Sequence, residues 1–122
     1  FRVHCETADG VSPVGFRFRV GDLPGVVEQG ENTSHATATP GPAPGAFHGV
    51  VARPNESRCF KFAAKKGQGF EIHCWARRLG SPLDPVLHVG KLGGGPMASN
   101  DDTGGPDSAV PFTAPEDGEY CV

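Results

Sequence analysis

Arg58 to Val122 reads RCFKFAAKKGQGFEIHCWARRLGSPLDPVLHVGKLGGGPMASNDDTGGPDSAVPFTAPEDGEYCV, and this stretch decides the fold. Short runs in which apolar and polar residues alternate are separated by Gly, Pro and Asp clusters at nearly even spacing. A period of two sends successive side chains to opposite faces of an extended strand, and such clusters turn the chain. The pattern predicts strands near 58–64, 69–77, 85–90, 96–99, 109–113 and 119–122, with another at 47–52. Joined by tight turns, they make an all-β, antiparallel β-sandwich module. Phe60, Phe62, Phe70, Ile72, Leu87, Val89, Phe112 and Tyr120 form its predicted core. Each contributes roughly 1.5–3 kcal/mol on full burial. No helical period is visible.

Working outward, residues 1–24 read as a hairpin. Phe1-Arg2-Val3-His4-Cys5 and Phe16-Arg17-Phe18-Arg19-Val20 alternate around a turn at Ala8-Asp9-Gly10. Two strands alone cannot bury a stable core, so they are expected to be the end of an upstream β domain. Residues 25–46 carry few large apolar groups and end in Thr37-Ala38-Thr39-Pro40-Gly41-Pro42-Ala43-Pro44-Gly45. This is expected to be a stiff linker, or a first strand lying along the next module. With Phe1 rather than Met in front and an alternation that stops at Val122, the chain reads as an excerpt of a longer polypeptide.

The net charge of −3 and the scatter of basic residues argue against a nucleic-acid binder. No apolar run is long enough to span a membrane. Hydrolase signatures such as G-x-S-x-G and H-E-x-x-H are missing, and the five histidines are dispersed. Cys5, Cys59, Cys74 and Cys121 lack the spacing of a zinc ribbon. Strand parity places Cys5 and Cys74 with apolar neighbours, as buried free thiols. It places Cys59 and Cys121 on the opposite face of one sheet, where a bridge between them is a hypothesis. Trp75 has the parity of Glu71, His73 and Arg77, so it points outward. It is either a ligand platform or a side chain covered by the linker or a neighbouring domain.

In order and spacing, four segments resemble the bacterial pre-peptidase C-terminal domain family. They are Phe60–Gln68, Ala76–Pro85, Ser99-Asn100-Asp101-Asp102 and Pro115-Glu116-Asp117-Gly118-Glu119-Tyr120. The resemblance implies a jelly-roll sandwich over 47–122, in secreted bacterial proteins where an immunoglobulin-like domain often precedes it. That fits 1–24 as the domain's last hairpin and 25–46 as linker. Members of the family are not catalytic. The collagen-binding domains of clostridial collagenases are relatives that bind calcium, and Glu28, Asn32 and Glu56 match part of their ligand set. Gly30, Thr33 and Arg58 stand where further acids are usual, and a guanidinium offers calcium no lone pair. The alternative is that the glutamates are solvated and that Arg58 pairs with one of them.

A second oxygen-rich loop is Asn100-Asp101-Asp102-Thr103-Gly104-Gly105-Pro106-Asp107. Asp101, Asp102 and Asp107 could hold a cation there, or Asx turns could explain the loop. Asp84 is expected to cap the amides of the crossing loop. The function expected from these readings is a non-catalytic extracellular accessory or adhesion module. Its partner would be an extracellular protein or polysaccharide, or the neighbouring domains of the same chain. The alternatives are calcium-dependent binding of a fibrous protein or polysaccharide, and targeting or maturation of a secreted peptidase.

Overall fold

A computed structural model describes residues 1–102 and 105–122. Its strands are β1 (Arg2–Val3), β2 (Glu6–Thr7), β3 (Gly10–Val11), β4 (Phe16–Arg17), β5 (Gly25–Val27), β6 (Thr39–Pro40), β7 (Ala46–His48), β8 (Phe60–Ala64), β9 (Gly69–His73), β10 (Leu87–Lys91), β11 (Pro96–Asn100), β12 (Ala109–Thr113) and β13 (Gly118–Cys121). Two 3-10 turns, His35–Thr37 and Arg77–Leu79, are the only helical segments among the described residues.

The largest sheet has the order β11-β10-β13-β8-β6. β9 and β12 pair antiparallel as a separate ladder, with Phe70 opposite Phe112 and Ile72 opposite Val110. The core lies between the two. Phe62, Ala64, Val89 and Tyr120 come from the large sheet, Val110, Phe112 and Ala114 come from β12 and its end, and Phe47, Phe70 and Ile72 pack against them. Alternation explains the choice of residues. In β8 Phe60, Phe62 and Ala64 are buried while Ala63 is exposed, and in β12 Val110 and Phe112 are buried while Pro111 and Thr113 are exposed. Tyr120 is fully buried at the centre, 5.2 Å from Phe112 edge to face, and its hydroxyl donates to the Glu116 carbonyl at 2.8 Å. A buried tyrosine needs that acceptor. Pro111 is tolerated because β12 pairs with β9 alone among the described strands, so its missing N–H can face an open edge. Gly90 sits at a register shift between β10 and β11, where a Cβ would run into the Gly95 carbonyl oxygen.

The chain is therefore all-β, in several small sheets that do not join into one closed jelly roll among the described residues. Purely antiparallel pairing was expected, but two ladders are parallel. β5 pairs β7, and β6 pairs β8 with Thr39 opposite Phe60. The Pro-rich segment supplies these strands through backbone hydrogen bonds, such as the Thr39 amide to the Cys59 carbonyl at 3.0 Å and the Gly41 amide to the Lys61 carbonyl at 2.9 Å. Asn32, Ala38 and Thr39 of the same segment are buried.

Two strands are shorter than expected. The one near 47–52 is only Ala46–His48, and the one near 69–77 ends at His73. The second is cut short because Asp107 captures the Arg77 amide at 2.6 Å and the Arg78 amide at 3.1 Å, which winds a 3-10 turn. At the N-terminus, β1 pairs β4 and β2 pairs β3, and every strand residue there is exposed.

Candidate functional site

Three polar constellations stand apart from the core. The first is at Arg58. Its Nε lies 2.8 Å from Glu28 Oε2, and its Nη1 lies 2.9 Å from Glu56 Oε1. The same side chain donates to the Val50 carbonyl at 2.7 Å and the Ser57 carbonyl at 3.2 Å. Glu28 Oε1 accepts from the Val50 amide, and Glu56 Oε2 accepts from the amides of Ala52 and Arg53. The Ala52 amide first, and the Arg58 guanidinium second, hold the Glu56 carboxyl below the usual carboxylate range. Glu28 Oε2 is buried with no hydrogen bond, although it makes the ion pair, because the Nε–H is spent on the Val50 carbonyl.

Glu28 and Glu56 are thus brought to one cation, and that cation is Arg58. So arranged, they do not fit calcium, whose shell is built from oxygens. Asn32 is fully buried and joined to the neighbourhood of Cys59: its backbone carbonyl accepts the Cys59 amide at 2.7 Å, and its Nδ2 lies 3.4 Å from the Cys59 carbonyl. Its Oδ1 is buried without a hydrogen-bond partner.

The second constellation divides the acidic loop. Asp107 is buried and turned inward onto the Arg77 and Arg78 amides, with Arg78 Nε at 3.8 Å. Asp101 and Asp102 stay exposed and gather with Asp84, one carboxylate oxygen of each lying within 4.8 Å of the others. Asp84 also pairs with Arg77 Nη2 at 3.1 Å. The amide cap expected of Asp84 is made by Asp107 instead, which reaches the turn from the far end of the loop. Thr103 and Gly104 of this loop lie outside the described residues.

The third constellation is centred on Trp75. The indole is 39% exposed, with the Arg19 guanidinium 4.7 Å and the Arg78 guanidinium 5.3 Å from its ring centroid. It borders an open cleft of about 470 Å³ shared with the N-terminal strands, including Arg2, Arg17 and Phe18. Outward parity of Trp75 was legible, but the arginines were missed. Arg19 lies 56 residues away along the chain, and no local pattern announces the contact.

The described residues assemble no Ser-His-Asp constellation. His88 Nδ1 is 2.8 Å from Ser99 Oγ, across β10 and β11, but no carboxylate is hydrogen-bonded to that imidazole. The cysteines are all free thiols. Cys5 was expected to be buried and is exposed, because its short hairpin has no layer packed on it. Cys121 is buried, and desolvation first, with the neighbouring Cys59 thiol second, pushes its pKa up to about 12. Burial and the Asp107 charge raise that of half-buried Cys74.

Over 74 residues the chain is 33% identical to a probable subtilase-type serine protease of Deinococcus radiodurans, a match covering 60% of this chain. The chain spans only about a tenth of that protein, as the matched region is 10% of its length. No protein-family model matches the chain, and no solved structure matches it.

Proposed function

We propose that the chain is a non-catalytic accessory module of a larger, secreted bacterial protein, acting outside the cytoplasm to space or dock the parent on an extracellular protein or polysaccharide. The observation that carries this reading is the similarity to a small part of a subtilase-type protease, in a chain whose described residues assemble no catalytic triad. The packing of the large sheet against the β9–β12 ladder supports kinship with the sandwich of the pre-peptidase C-terminal domains. In this reading 47–122 is the body of the module, 25–46 lies along it, lends β6 to its large sheet and leads to what precedes, and 1–24 closes an upstream immunoglobulin-like β domain.

The direct test offers the chain casein, fluorogenic peptides and an active-site-directed serine-hydrolase probe. The expected result is no turnover and no labelled serine; stoichiometric labelling would overturn the reading. A role in targeting or maturing a secreted peptidase rests on the same similarity and would show as lost export or processing when the module is deleted from a parent protease.

A calcium-dependent form of the binding reading is supported by Asp84, Asp101 and Asp102 rather than by Glu28, Asn32 and Glu56. The three aspartates are exposed and convergent, and of them Asp84 pairs with Arg77 while Asp101 and Asp102 make no ion pair among the described residues, whereas both glutamates hold Arg58. A ligand held only by the folded form raises its stability. Equal melting temperatures in millimolar calcium and in chelator would remove this form of the reading.

A further inference from the structure

The cleft beside Trp75 gathers positive charge in a way the fold itself does not require. Arg2 and Arg17 are direct partners across the β1–β4 ladder, and both border the cleft. Like charges opposite one another in a sheet are destabilising. Arg19 and Arg78 converge on one indole ring. Four of the chain's eleven lysines and arginines therefore face one cleft on a protein of net charge −3. No acidic side chain lines it, and Arg2, Arg17 and Arg19 make no ion pair among the described residues. Arg78 alone has a carboxylate, the buried Asp107. The Arg2–Arg17 juxtaposition is held without counter-charge, and the Arg19–Arg78 one has only Asp107, 3.8 Å from Arg78 Nε and buried away from the cleft, so together they mark a place where an external anion supplies the missing charge.

Beside the guanidiniums lie apolar rings. Phe1 and Phe18 stack on one another and stay exposed in the lining of the cleft, whereas the Trp75 ring carries the two guanidiniums. A uronate ring meets both features at once, since it carries a carboxylate for the planar guanidinium fork and a C–H face for an aromatic ring. An acidic peptide offers carboxylates on flexible stems without that face. We propose that this cleft binds an acidic, uronate-bearing polysaccharide, with Arg2, Arg17 and Arg19 engaging carboxylates and Trp75 positioning Arg19 and Arg78. The proposal rests on the extracellular accessory reading and names its ligand class.

The experiment is affinity electrophoresis of the 122-residue chain through native gels containing polygalacturonate, neutral dextran or nothing. Retardation is expected in polygalacturonate alone, weakening as salt is raised. The double variant Arg17→Gln/Arg19→Gln, with both positions exposed and the Arg2–Arg17 repulsion relieved, should melt no lower than the parent and bind at least about tenfold more weakly, the scale of one lost charge-assisted hydrogen bond. Trp75→Ala should weaken retardation and Trp75→Phe should restore much of it, as expected if the ring holds the arginines in place. Equal mobility in all gels, or undiminished retardation of the arginine variant, would overturn the proposal. So would competition by polyglutamate or single-stranded DNA at lower concentration than by polygalacturonate. Such a failure leaves the probe and turnover result untouched, whereas a labelled serine would sink the accessory reading by itself.

Discussion

The segment 58–122 and the segment 1–20 have the same sequence grammar and opposite fates. Both alternate apolar and polar residues around turns. In the first, the apolar faces of β8, β10 and β13 meet those of β9 and β12, and Tyr120 and Val89 are almost wholly removed from water. In the second, Val3, Val11 and Phe16 remain exposed on ladders of two residues, and Phe1 and Val14 remain exposed beside them. The difference teaches that alternation supplies a face and not a core. A face becomes stabilising only when a second layer covers it.

The largest contrast should come from truncating matched aromatics. Tyr120→Ala removes a buried ring and orphans the Glu116 carbonyl, so a loss of about 3–5 kcal/mol is expected in urea denaturation. Phe16→Ala should stay within about 0.5 kcal/mol, as for other surface changes. Comparable losses at the two sites would erase the distinction between the segments.

A smaller effect is expected at Asp107, whose carboxylate caps the 3-10 turn from the core side. Asp107→Ala leaves the Arg77 and Arg78 amides without their acceptor and should cost about 1–3 kcal/mol. Asp101→Ala, on the exposed part of the same loop, should cost almost nothing in the same melts.

Next is the Arg58 clamp. Arg58→Met removes donors to the Val50 and Ser57 carbonyls and should destabilise by about 1 kcal/mol per lost bond. It also changes the acid limb. The folded pKa of Glu56 lies below its ordinary value of 4.5, so the carboxylate's contribution is fully present above about pH 4.5 and is lost as pH falls towards the folded value. Asp117, held down by the Lys66 amide and then by Lys65, acts in the same direction from 3.8 downward. Stability measured from pH 6 to pH 3 should therefore fall less steeply in Arg58→Met than in the parent. An identical slope would remove Arg58 from the account of Glu56.

The smallest effect concerns reactivity. In native protein, exposed Cys5 should be alkylated first and Cys121 last, and unfolding should abolish the order, as read by peptide mass spectrometry. Early labelling of Cys121 would mean that β13 is not packed as described.

How much of this was legible follows from the same contrast. The strands at 60–64, 87–91, 109–113 and 118–121 were readable because a buried face imposes a period of two on their side chains. Thr39 and Pro40 were legible only as the second of two readings, a first strand lying along the module, since their parallel ladder is made by backbone groups and leaves no apolar pattern to fix its place or direction. Asp101 and Asp107 are alike as letters, and only the tertiary approach of the Arg77 turn separates a solvated carboxylate from a buried cap. The pairing of Arg58 with an acid could be anticipated from the neighbouring Glu56, but its bond to Glu28 depends on how residues 25–50 fold back. The Trp75 cleft was half legible: parity gives the outward indole, and the long-range arrival of Arg19 gives the rest.

Amide hydrogen exchange, resolved by residue, tests the central claim most directly. Amides of β8, β10 and β13, such as those of Phe62 and Tyr120, should exchange only through global unfolding, while those of Arg2–Val3 and Phe16–Arg17 should exchange orders of magnitude faster. Equal protection in the two segments, or rapid exchange at Tyr120, would contradict a fold whose stability resides in one covered face.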